Sequence, residues 1–284
     1  MQAKFGPAGN PDAFYMSGRK ASAEMPAWLS EQGLGAYEYQ CSRGVTIREE
    51  TARTIGEHAK AHLVSLSIHA PYYINLSTTD DTIAGNTRNH ILKSLRVAQW
   101  MGADRVAFHI GGPGKQSREI GLERAKILFS SIMEDAEKEG LTGIYLAPET
   151  MGKQNQLGNL DEVIDFCKIS ERLIPTIDFG HLHTASLGGY QTKEEFAAVF
   201  DKIAAELGEH IARIVHVHFS KIEFTKAGEK RHRTFAEEGY GPPHEPFLEV
   251  IAERGYSPRV ICESAGTQAS DAKIMQDLYL SLVK

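Results

Sequence analysis

LVSLSIH, Leu63–His69, is a short apolar run that ends on an imidazole. Alone it says little, because one histidine after a strand is more often a hydrogen-bonded structural residue than a ligand. The chain repeats the arrangement in RVAFH (Arg105–His109), GIYLAPE (Gly143–Glu149), IPTID (Ile174–Asp178), RIVHVH (Arg213–His218) and RVICE (Arg259–Glu263). Each run is rich in Val, Ile, Leu or Phe, and each closes on His, Asp or Glu. Helix-length segments separate the six.

Two further strands, near Lys4–Gly6 and at AYEYQ (Ala36–Gln40), bring the count to eight strand–helix units. Gly33, Gly102, Gly140 and Gly255 stand just past expected helix ends, where a left-handed residue is favoured. Repeated βαβ units demand a parallel sheet, and eight of them close into a (β/α)8 TIM barrel of the α/β class. With no linker or low-complexity tract, residues 1–284 read as one domain. One connection is oversized, Phe219–Pro243, and loops of that length are usually functional.

The bulk properties narrow the class. Of 284 residues 42% are hydrophobic, and the net charge is −6, which argues against a surface that coats nucleic acid nonspecifically. No run of about 18 apolar residues suggests a membrane span, and the first residues lack an apolar signal core. The three cysteines, Cys41, Cys167 and Cys262, form no CxxC pair. A cytoplasmic protein with reduced thiols is expected. The segment Ser220–Arg233 is locally basic, with Lys221, Lys226, Lys230, Arg231 and Arg233.

In a parallel barrel all strand carboxyl ends open on one face. His69, His109, Glu149, Asp178, His216 and Glu263 therefore meet there, and His181 follows Asp178 within one turn. Imidazole with carboxylate and no thiolate suits catalytic zinc, with manganese or iron accepting the same donors. Five or more donors exceed the needs of one tetrahedral ion, so two or three ions are expected. His216 and His218 alternate along one strand and face the same side, so either can be the ligand. His183 and His218 are less certain members, and His232, in the basic segment, would alone read as a surface histidine. Tyr72 and Asn75 extend the His69 segment at the mouth.

These motifs resemble the endonuclease IV family of metal-dependent abasic-site endonucleases. The likeness rests on His69-x-x-Tyr72-x-Ile74-Asn75-Leu76, His109-Ile-Gly-Gly, Glu149-Thr-Met-Gly, Asp178-x-x-His181, His216 with Ser220-Lys221, Arg231-His232, and Glu263. It implies hydrolysis of the DNA backbone 5′ to abasic sites by a metal-activated hydroxide. His69 and His109 would hold one zinc, Asp178 and His216 a second, with Glu149 between them. Glu263 would ligate and position the nucleophile, and His181 with His232 would hold a third ion. Glu149 and Glu263 are thus the catalytic candidates, and Arg43, Tyr72, Asn75, Lys153, Lys221 and Arg231 the substrate-binding ones. The chain departs from the family at Lys230, where a third-metal carboxylate is expected; Glu229 stands one residue earlier. It also lacks the familiar DNA-reading loop after the second strand, where CSRGV occurs. The competing expectation is a one-metal sugar isomerase or epimerase built on Glu149, Asp178, His216 and Glu263, with a small sugar as substrate.

Overall fold

The computed structural model describes residues 2–226 and 228–283. Ten strands follow in chain order: β1 (Lys4–Pro7), β2 (Ala36–Gln40), β3 (Ser65–His69), β4 (Arg105–Phe108), β5 (Tyr145–Pro148), β6 (Thr176–Asp178), β7 (His216–Phe219), β8 (Lys221–Thr225), β9 (Gly228–Arg233) and β10 (Arg259–Cys262). Two parallel sheets, β2-β3-β4-β5 and β1-β10-β7-β6, form the two halves of a barrel. Parallel bridges close it: Ala8 with Glu38 joins β1 to β2, and Leu146 with Leu173 and Glu149 with Thr176 join β5 to β6. The expected eight-stranded α/β barrel is what forms.

Its strands are short and buried on both faces, which is why they read as apolar runs rather than alternating ones. Helices ring them. Asp80 and Ser117 cap the two long helices Asp81–Met101 and Arg118–Lys138 by accepting backbone N–H groups of the first turn. Phe179, Phe196, Phe200, Phe219 and Phe247 fill one helix–barrel layer, and Phe108, Phe129 and Phe166 another.

The oversized connection after β7 differs from expectation. It is no open loop: β8 and β9 pair antiparallel as a hairpin over the mouth. A second unforeseen element, the helix Phe179–Ala185, starts directly at the end of β6. No helix among the described residues is long and apolar enough to cross a membrane, and all three cysteines are buried and free.

Candidate metal centre

Strand register decides which donors meet. β7 lies between β6 and β10, and His218 is in register with Asp178 and Ile261, whereas His216 is in register with Thr176 and Arg259. Both imidazoles point into the barrel, but His218 stands nearer the mouth and His216 one pleat deeper. Of the two histidines open as the ligand on this strand, His218 is the one that stands beside Asp178.

Glu149 is the hub. Its Oε2 lies 3.0 Å from His69 Nε2 and 3.4 Å from His109 Nε2. Its Oε1 lies 3.3 Å from His181 Nδ1 and 3.4 Å from His218 Nδ1, and that nitrogen is 3.6 Å from Glu263 Oε1. Asp178 ends β6 and caps the next helix: its Oδ1 accepts the His181 N–H at 2.7 Å. The other oxygen, Oδ2, is buried without a hydrogen-bond partner, as are both ring nitrogens of His218 and Nδ1 of His109.

His181 faces a second group. Its Nδ1 is 2.8 Å from the Thr150 carbonyl, and its Nε2 is 3.2 Å from Glu229 Oε2. His232 Nε2 lies 3.6 Å from Glu229 Oε1, while its Nδ1 meets Ser220 Oγ at 2.7 Å. The presence of Glu229 here has a backbone cause. Glu223 pairs with Arg231 and Phe224 with Glu229, so Lys230 is the extra residue of a β-bulge. The bulge breaks the alternation by one position, which returns Glu229 to the face of His232. Lys230 points outward and pairs with Glu223.

Charge is distributed accordingly. Burial opposes ionisation of Glu149, but His218, His109 and His181 outweigh it and hold its pKa well below the usual carboxylate range. Burial likewise works against His218 and His181, yet Glu38, Glu263 and Glu149 around the first, and Asp178, Glu149 and Glu229 around the second, raise both pKa values well above the ordinary. Glu263 is raised by burial, against the pull of His218 and His232. Glu229 is lowered to about 2, since His181, His232 and Lys153 outweigh its burial. Burial lowers His109, and takes His216 down to about 3 despite its contact with Glu38.

Glu38 is the site residue that the sequence reading missed. It is fully buried on β2, 2.7 Å from His216 Nε2 and 3.0 Å from His218 Nε2. The overlooked signal is a carboxylate inside a short aromatic strand, which needs a buried partner.

Other expected members sit apart from the donors. His183 gives its Nδ1–H to the Gly189 carbonyl at 2.5 Å and packs on Phe224 at 5.3 Å, bracing the hairpin. The Asn75 side-chain oxygen accepts the Ser77 N–H at 3.1 Å. Lys221 Nζ donates to the carbonyls of Phe235 and Glu237 at 2.7 and 2.9 Å. These three organise loops. Tyr72 does wall the site, with its ring 4.8 Å from that of His69 and 5.3 Å from that of His109. Arg43, Lys153 and Arg231 are exposed. Arg231 borders an open groove of about 540 Å³, lined also by His232, Arg233, Thr234 and Glu263.

The donors suit metal ions. Two ligand atoms sharing a tetrahedral zinc, with bonds of about 2.0–2.1 Å, stand roughly 3.3 Å apart. The contacts of Glu149 with His109 and His218, and of Glu229 with His181 Nε2, are 3.2–3.4 Å, and that of Glu149 with His69 is 3.0 Å. Unpartnered buried atoms such as Asp178 Oδ2 are otherwise costly. Three donor groups, His69–Glu149–His218, Glu149–Asp178–His218–Glu263 and His181–Glu229–His232, each gather within 4.8 Å.

A parallel eight-stranded barrel with a mouth of imidazoles and carboxylates defines a class of enzyme-like scaffold. The chain belongs to the xylose isomerase-like TIM barrel family, whose model matches residues 26–280, and within it is a divergent relative of the endonuclease IV proteins. It is 31% identical over 254 residues to an uncharacterised protein of Methanocaldococcus jannaschii, covering 89% of this chain and 90% of that one. It is 30% identical over 221 residues to a probable endonuclease 4 of Enterococcus faecalis, covering 72% and 71%. Among solved structures, a D-tagatose 3-epimerase-like protein superposes with a TM-score of 0.71 at 21% identity over 99% of this chain and 98% of that one. Endonuclease IV of Thermus thermophilus superposes with a TM-score of 0.68 at 17% identity, covering 100% and 99%. Likeness at that identity speaks for the fold. The family resemblance drawn from the motifs is thus borne out.

Proposed function

We propose that the chain is a metal-dependent phosphodiesterase of the endonuclease IV kind, cleaving the DNA backbone 5′ to abasic sites. One observation carries the reading: the donors outnumber a single ion and include a separate His181–Glu229–His232 group beside the hub. His69, His109 and Glu149 would hold one zinc, Glu149, Asp178, His218 and Glu263 a second, and His181, Glu229 and His232 a third; manganese or iron fit the same donors. Bound ions supply Lewis acidity, which acidifies water and offsets phosphate charge.

The chain's own groups divide the remaining work. Glu149 joins the donor groups and fixes their spacing. Glu263, at the edge of the groove, orients the nucleophile through its carboxylate oxygen. Arg231, exposed at the rim, pairs with a backbone phosphate, while the Tyr72 ring offers a flat face to an unstacked nucleotide. Purified protein with zinc or manganese is expected to nick an abasic duplex, to stop with chelator, and to lose activity in Glu149→Ala and Glu263→Ala. Intact abasic DNA after incubation with the metal-loaded protein sinks the reading.

A second reading is supported by the four-donor group Glu149, Asp178, His218 and Glu263, which by itself suits a one-metal sugar epimerase in which the two glutamates move protons. His69, His109, Glu229 and His232 are then surplus. Turnover of a ketose with one ion per chain and no DNA cleavage would select it.

A further inference from the structure

Glu38 is a buried carboxylate that neither reading employs. It lies on β2 beneath the hub, wholly out of solvent. His216 Nε2 and Ser67 Oγ donate to its Oε2 at 2.7 and 2.9 Å, and Gln40 Nε2 donates to its Oε1 at 3.0 Å. Tyr72 O–H in turn donates to Gln40 Oε1 at 3.0 Å, which ties the network to the wall of the mouth. His218 Nε2 stands 3.0 Å from Glu38 Oε1.

The three residues Glu38, His216 and His218 form a compact donor group of their own. The spacing argues against an ion among them. A contact of 2.7 Å between Glu38 and His216 is a hydrogen bond, shorter than the roughly 3.3 Å that two ligands of one zinc keep. The other face of His218 has the wider spacing: its Nδ1 is 3.4 Å from Glu149 and 3.6 Å from Glu263.

We infer that Glu38 is a positioning residue that selects His218 as the ligand of the mouth and fixes which of its nitrogens binds. The inference rests on the metal reading of the Glu149–Asp178–His218–Glu263 group, and not on the choice between DNA and sugar. A neutral imidazole carries one N–H and one lone pair. The charge of Glu38, 3.0 Å from Nε2 without hydrogen-bond alignment, favours the proton on that nitrogen, so the lone pair of Nδ1 faces Glu149 and Glu263. His216 is the strap: its Nε2–H holds the second carboxylate oxygen, and Ser67 and Gln40 prevent rotation. His216 is thereby occupied as a donor beneath the site, which explains why the chain carries two histidines on one strand and presents one. An outer carboxylate of this kind also makes the ligand nitrogen more basic.

The test uses the full chain and zinc. Glu38→Gln keeps the shape and removes the charge. Chelator competition is expected to show one zinc per chain weakened about 10–100-fold, with the other sites unmoved. In ¹⁵N-histidine spectra of the zinc-loaded wild type, His218, assigned with His218→Gln, should carry its proton on Nε2 and metal on Nδ1. Unchanged zinc affinity in folded Glu38→Gln, or zinc on Nε2 of the wild type, overturns the inference. If Glu38→Gln does not fold, the wild-type spectrum decides alone. A wild type that binds no zinc overturns the metal reading and this inference with it. A wild type that binds zinc yet leaves abasic DNA intact removes the phosphodiesterase and leaves the role of Glu38 standing.

Discussion

Glu229 and Lys230 are adjacent in the chain and opposite in setting. Lys230 is 60% exposed and paired with Glu223, while Glu229 is turned inward to His181 and His232. From spacing alone the lysine falls where a carboxylate was wanted, and only the bulge corrects the count. With Glu229 turned inward by the bulge, the two side chains separate in a metal titration. Glu229→Ala should lower the ions bound per chain by one in elemental analysis, and Lys230→Ala should leave the count unchanged. Equal counts for the wild type and Glu229→Ala would place no ion at this group. The same one-residue resolution governs His216 and His218. A period of two puts both inside the barrel, and no feature of RIVHVH ranks them; the register with Asp178 does.

At the scale of elements, the six strand ends were readable because each buried strand is an uninterrupted apolar run and its polar terminus stands out against it. The strand β2 was legible but its donor was not, since AYEYQ closes on Gln40 and the Glu38 carboxylate lies one pleat below the rim. The β8–β9 hairpin escaped for a different reason. Its strands are largely polar, and the alternation of Ile222 and Phe224 is too short to stand out beside the cluster of charges. That hairpin explains why the basic residues of the segment are not equivalent. Arg233 is engaged by Glu223 and Glu237 and lies over the Tyr240 ring at 4.4 Å; Lys221 is spent on two carbonyls; Arg231 is 61% exposed at the groove and keeps only a 3.4 Å contact with Glu223. Each phosphate contact adds about 0.9 to the salt dependence of DNA binding. Arg231→Ala should therefore reduce the slope of log K against log salt by about 1 on an abasic duplex. Lys221→Met should keep the slope, and instead lower stability by about 1–2 kcal/mol, because two carbonyls lose their donor. A slope that falls with Lys221→Met and not with Arg231→Ala would reverse these roles.

Across the whole molecule, the mouth holds its chemistry only while the barrel stays closed, and closure is thin at two places. The β1–β2 seam has one bridge, Ala8 with Glu38, and a Cβ on Gly6 would lie 1.7 Å from the Ala36 carbonyl oxygen. Gly6→Ala should cost about 3 kcal/mol in denaturant unfolding, because backbone on both sides resists moving. The opposite end of the barrel is closed by charge. Arg259 on β10 donates to both oxygens of Asp104 just before β4, at 2.5 and 2.9 Å, and to the Leu66 carbonyl of β3 at 2.8 Å. Arg105 on β4 reaches Asp104 and the Ile214 carbonyl at 3.2 Å each. Burial opposes the charge of Asp104, but the two guanidinium groups outweigh it and depress its pKa well below the usual carboxylate value. A carboxylate depressed in the folded state contributes stability that is complete above its unfolded pKa of about 3.9 and is lost as the pH falls toward the folded value. Removing one partner of a buried pair costs about 3–5 kcal/mol, but Asp104 is 49% exposed and water screens the loss. Asp104→Asn should thus be less stable than the wild type by about 1–2 kcal/mol, evenly between pH 5 and 8. Below about pH 4 the gap should narrow, because the unfolded wild-type chain begins to protonate Asp104 while the folded one, held by the two guanidinium groups, does not. Urea melts of both proteins across that range measure it, and a gap that widens toward acid would show that the Asp104–Arg259 pair is not what closes this end of the barrel.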